Sequence, residues 1–204
     1  SMMRVEKLRE EYLEGFKEYC RIYGAVHDDS YLYEEDIEKL SVSNDCPAFL
    51  LLEEERIIGA LALLLDDYYL RDSKSRLLIF HCTQTDSIHY QALLEFAIAN
   101  SIAIKQKGVG RLEMFIQDKL TENIAALEDV GFKYYRTSFI MVRKNEEKVR
   151  ADWPRGYQLK PLVRGEDEEA YADVRNIAFK NLAGSSVPMT KEMVIKHSED
   201  NYLL

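Results

Sequence analysis

The chain has 204 residues and a net charge of −9, from 36 Asp and Glu against 27 Lys and Arg. That is room for one full domain with a sizeable core and part of another, and it is too short for two complete α/β domains. The acidic balance disfavours any role whose affinity comes from neutralising a nucleic-acid backbone or an anionic membrane surface.

The longest unbroken apolar run, 57–65, is far shorter than the ~20 residues that span a bilayer, and it contains Gly59. Arg4, Glu6, Lys7, Arg9 and Glu10 charge the N-terminal stretch, which therefore lacks the apolar core of a signal peptide. Cys20, Cys46 and Cys82 fit neither a disulfide framework nor zinc-ligand spacing. We expect a cytoplasmic protein with reduced thiols.

In chain order, Val5, Leu8, Tyr12, Phe16, Tyr19 and Tyr23 recur in steps of three and four, which predicts one helix face ending at Gly24. A polar turn, 27–30, leads to a short helix over 33–40 and a loop ending at Pro47. The apolar runs 48–52 and 56–65 flank Glu53-Glu54-Glu55, the pattern of two antiparallel strands buried on both faces. A third strand is expected over 76–82, then a long helix over 88–107 that ends in Lys105, Lys107 and Gly108. Alternation predicts a strand over 111–117. Asp118 is placed to cap a helix carrying Ile124 and Leu127, and 133–143 reads as a further strand pair or one long bent strand. Residues 145–156, charged and containing Pro154, read as a linker. Beyond it come a strand over 157–163, helices over 167–181 and 190–198, and the start of a strand at 201–204.

The ordered set Phe49-Leu50-Leu51-Leu52, Ile57-Ile58-Gly59-Ala60-Leu61, Ala92-Leu93-Leu94 and Val130-Gly131-Phe132 resembles the GNAT acetyltransferase family. The likeness covers roughly residues 3–143. The later segments 157–163, 173–179 and 187–190 resemble the opening of another such domain, of the tandem, mycothiol-synthase-like type. The implied fold class is α/β, a GNAT-like, mixed, mostly antiparallel sheet flanked by helices, with a partial second unit. The implied organisation is a first domain over 1–144, a linker over 145–156, and the N-terminal part of a truncated second domain over 157–204. Because the first domain reads as starting with a helix, residues 157–163 are expected to supply its initial strand.

The resemblance implies acetyl-CoA as cofactor and transfer of its acetyl group to an amine. In the family, a loop of the form Arg/Gln-x-x-Gly-x-Gly/Ala opens the central helix, and its backbone N–H groups hold the pyrophosphate. The corresponding backbone here is that of Gln84, Ser87, Ile88, His89 and Tyr90. In one register Ile88 and Tyr90 take the glycine places; in the other Gln84 matches and Ser87 and His89 take them. Neither supplies a glycine, and Asp86 puts a carboxylate where phosphates would sit.

The family's Tyr acid, four residues ahead of Gly131, is replaced by Leu127; Tyr134 and Tyr135 lie past that glycine. Glu113 and His81 are the candidates for a general base. Each also reads as structural, Glu113 as a solvated or ion-paired strand residue and His81 as a core or rim imidazole. No metal site is expected, since His81 and Cys82 would point to opposite faces of a strand.

Two functions follow. One is acetyl transfer to an amine, with the activity lying in the missing part of the second domain; the other is a non-catalytic GNAT-like module with a scaffolding or partner-binding role. A small-molecule or amine acceptor is expected, with neither nucleic acid nor membrane as partner. A homo-oligomer is compatible with the sequence.

Overall fold

A computed structural model of the chain describes residues 2–24, 32–141, 143–148, 150–185 and 187–199. Residues 3–7 are a strand where the spacing predicts a helix. Strand β1, Met3–Lys7, pairs antiparallel with β2, Ala48–Glu53. Tertiary pairing overrides local periodicity here, because the edge of β2 offers five consecutive residues a ladder that an isolated helix turn cannot match. A 3-10 turn at Glu10–Tyr12 then leads into helix α1, Leu13–Tyr23. The position expected for residues 157–163 is thus filled by β1, and 157–163 form no strand.

Helix α2, Glu34–Glu38, falls within the expected segment; the polar turn expected at 27–30 lies outside the described residues. Strands β2 and β3, Arg56–Leu64, form the expected hairpin, and β3 pairs with β4, Lys74–Cys82. Gly59 sits where the strands approach closely: a Cβ there would lie 3.0 Å from Cys82 Sγ and 3.1 Å from Leu51 Cβ. Between β3 and β4 the sequence hides a four-residue helix, α3, Asp67–Leu70, started by Asp66, which accepts from the Tyr68 N–H at 2.8 Å.

The helix expected over 88–107 is two helices, α4, Ser87–Asn100, and α5, Ile102–Gln106. Ser101 separates them with an extended backbone and caps α5 by accepting from the Ile104 N–H at 3.3 Å. Strand β5 covers only Arg111–Glu113 and runs parallel to β4. Helix α6, Thr121–Asp129, begins after Leu120 without a side-chain cap, so Asp118 does not play the expected part. Gly131, with φ of +106°, ends it: its N–H donates to Glu128 O and that of Phe132 to Leu127 O, both at 3.0 Å. Among the described residues of 133–143 there is no strand. Alternating side chains give a strand nothing to pair with unless a sheet edge is offered.

The result is a five-stranded mixed, mostly antiparallel sheet of order β1-β2-β3-β4-β5 with helices on both faces. Leu51, Leu61, Leu63 and Phe80 pack toward Leu93 and Ala97 of α4 and Leu127 of α6. Leu50, Leu52, Ala60 and Ile79 pack toward Phe16, Tyr19 and Cys20 of α1 and Ile37 of α2. Burial on both faces explains the near-continuous apolar reading of the central strands.

The chain divides into two compact units, Ser1–Tyr134 and Tyr135–Leu204. The second holds α7, Glu168–Phe179, and α8, Lys191–Glu199, around Ala172, Met189 and Val194. Asn176 joins them by donating to Met189 O at 2.8 Å and accepting from its N–H at 2.7 Å. The strand expected at 201–204 lies outside the described residues. No helix among the described residues is long and apolar enough to cross a membrane.

Candidate cofactor site at the start of helix α4

Where β4 ends, Thr83 is fastened to β3: its N–H donates to Ile58 O at 2.8 Å and its hydroxyl to the same atom at 3.2 Å. Four residues later α4 begins. Asp86 is its N-cap, and Oδ1 accepts from the His89 backbone N–H at 2.9 Å and from His89 Nδ1 at 2.5 Å. An ionised carboxylate only accepts, so Nδ1 carries a proton. Partial desolvation works to raise the Asp86 carboxyl, but the His89 ring and backbone hydrogen bonds prevail and hold it below its ordinary value. A second carboxylate stands close by, because Glu122 Oε2 accepts from the Thr85 hydroxyl at 3.4 Å.

The five loop candidates are scattered by this geometry. Gln84 and Ile88 are exposed, while Ser87 and His89 are half-buried. Tyr90 leaves the surface altogether: it is 1% exposed, its ring packs against Phe80 at 5.0 Å between centroids, and its hydroxyl accepts from Asn123 Nδ2 at 3.1 Å. Burial raises the Tyr90 phenol above its ordinary pKa, against the opposing effect of hydrogen bonds with the Cys82 backbone and Asn123. The residues present do not fit a CoA pyrophosphate. The backbone N–H of the first turn that would receive an anion already receives the chain's own carboxylate, and two negative side chains repel a second negative group.

The two base candidates lie apart. His81, near the end of β4, is buried on the α1 face, its Nδ1 2.7 Å from the Tyr19 hydroxyl and its ring stacked on Tyr23 at 4.5 Å. Burial pushes its imidazole down to about 4, so it is uncharged at neutral pH. Cys82 is on the other face, in the core beside α4. Glu113 on β5 stands opposite Arg76, five residues before His81, or about 17 Å along the strand. It pairs with the buried Lys74, whose Nζ is 3.4 Å from both carboxylate oxygens.

Leu127 is core, and Tyr134 and Tyr135 are exposed. The Tyr19–Tyr23–His81 cluster was not foreseen as a unit. Its sequence signal was the i, i+4 spacing of the two tyrosines on α1.

No protein-family model matches the sequence, and no curated protein matches it. Several solved structures are similar in fold. An aminoglycoside acetyltransferase, meta-AAC0020, from an uncultured soil metagenomic sample, in complex with sisomicin, is 19% identical with a TM-score of 0.47, over 70% of this chain and 97% of that one. AAC(6')-Iy, in complex with the bisubstrate analogue CoA-S-monomethyl-acetylneamine, is 17% identical with a TM-score of 0.49, over 70% and 99%. Glucosamine-6-phosphate N-acetyltransferase from Arabidopsis thaliana is 12% identical with a TM-score of 0.46, over 70% and 99%.

Proposed function

We propose that the protein is of the GNAT acetyltransferase type and that its 1–134 unit is a non-catalytic member, retained as a binding or scaffolding module. The observation that carries this reading is the hydrogen bonding of Asp86 at the first turn of α4. Support comes also from Tyr90, whose side chain is committed to the core, and from Leu127, which has no proton to give. Any acetyl transfer by the protein then depends on groups outside this unit.

Calorimetric and thermal titration with acetyl-CoA tests the reading. A working site at 100 times its dissociation constant would stabilise the fold by about 2.7 kcal/mol, a visible shift in melting temperature. No shift is expected. A shift given by acetyl-CoA, and not by acetate or adenine nucleotides, overturns the reading.

That outcome would favour the second reading, acetyl transfer from acetyl-CoA to an amine, for which His81 is the supporting observation. It lies near the end of the strand that feeds the loop, where a base would take a proton from the substrate ammonium before the freed amine attacks, although burial makes its imidazole a weak base.

A further inference from the structure

Helix α7 packs with one side only. Glu168 and Ala172 are buried, and Asn176 is half-buried and tied to Met189. At 3.6 residues per turn the opposite side carries Ala170, Val174, Ile177 and Ala178, with Tyr171 at its border. All five are exposed, Val174 by 67% and Ile177 by 72%. Polar residues ordinarily fill the water-facing side of a helix, so a contiguous apolar stripe there calls for a covering surface.

The charges beside the stripe say what that surface is. Glu169, Asp173 and Lys180 run along one flank, all exposed, and none has an ion-pair partner among the described residues. Helical backbone continues through Lys180, with φ of −56° and ψ of −26°. Asp173 and Lys180 therefore share that flank, about two turns apart. On the other flank Arg175 is already engaged, its guanidinium 5.4 Å from the Phe179 ring centroid. The open flank is acidic toward the start of the helix and basic at its end, which makes it complementary to its own reverse.

We propose that α7 pairs with α7 of a second copy of this chain, antiparallel about a two-fold axis. In such a contact the same patch meets itself with its direction reversed. A pair centred near residue 176 sets Asp173 of each copy beside Lys180 of the other, so one interface holds two such ion pairs. Val174 and Ile177 of the two copies meet between them, and Ala170 and Ala178 let the helices approach closely. One helix from each copy gives a contact at the low end of interface sizes, and a net charge of −9 opposes association, so the dimer is weak and concentration-dependent. The inference concerns the second unit alone, and its failure leaves the reading of the Asp86 loop untouched.

Sedimentation of the full chain over a concentration series tests it. A monomer–dimer equilibrium is expected, with a dissociation constant of roughly 10–100 μM. Ile177→Glu should weaken it at least about tenfold, and Asp173→Lys or Lys180→Asp alone should weaken it about tenfold by setting like charges together twice. Mixing Asp173→Lys with Lys180→Asp restores opposite charges at both pairs and should return the association to wild-type strength. All three positions are exposed, so circular dichroism and melting of the monomers should not change. A chain that stays monomeric, as it would if another protein covered α7, overturns the proposal. So does a dimer that survives Ile177→Glu, or a mixture that associates no better than either variant alone.

Discussion

Asp86 takes two hydrogen bonds from one residue, the backbone N–H and the ring Nδ1 of His89, on a single oxygen. The carboxylate thereby answers the positive end of α4 from within the chain. Ala at position 86 should destabilise the protein by about 1 kcal/mol, the usual cost of losing an N-cap, as measured by urea denaturation at pH 7.

The pH dependence of that loss has a definite sign. The folded-state pKa of Asp86 is depressed, so its contribution is complete above the ordinary carboxylate range and is lost as pH falls through the folded value. The gap between wild type and Asp86→Ala should close below about pH 4. A gap that stays constant to pH 2 would sink this account.

His81 works over a higher window. Its pKa falls from 6.5 to about 4 on folding, so the unfolded chain binds a proton that the folded one refuses. The stability it leaves intact above pH 6.5 is lost as pH falls toward 4, by about 3 kcal/mol at most. His81→Phe should flatten the stability profile in that window, and the His81 ring signals should titrate near 4 by NMR.

Glu113 should behave as the partner of a buried charge. Its removal leaves Lys74, 3% exposed, with Asp72 at 3.8 Å as its remaining ion-pair partner among the described residues. Glu113→Ala should cost about 2 kcal/mol, more than the isosteric removal of the charge by Lys74→Met. Denaturation midpoints of the two variants decide it; equal midpoints would mean the pair is not what holds β5 to β4.

The central hairpin and β4 were legible because strands covered on both faces need apolar residues at nearly every position, and 48–65 and 76–82 supply them. The N-terminal strand was not, because an edge strand of five residues carries only a weak alternation and Val5 happens to fall in step with the helix that follows. At the start of α4 the repulsion exerted by Asp86 was legible in the sequence, whereas its part as the helix cap was not, because the helix begins one residue earlier than its apolar pattern. The Tyr19–His81 contact was not, because it joins residues 62 apart and only the sheet brings them together. The Gly131-Phe132 pair has a geometric cause as well: it is the stop signal of α6, with Phe132 packing on Phe80 at 5.9 Å. Such a pair marks how a helix ends and says nothing of what the chain catalyses.

Strand β1 lies at one margin of the sheet, with β2 on one side and no strand on the other among the described residues. A bare margin is a template on which other chains can add strands, and proteins guard it with short lengths and charge. β1 is five residues long and carries Arg4, Glu6 and Lys7. Replacing those charges with threonine or valine would leave pairing with β2 intact and turn the same strand into a seed for edge-to-edge aggregation. On this reading the charges of β1 guard the sheet against extension into a neighbour.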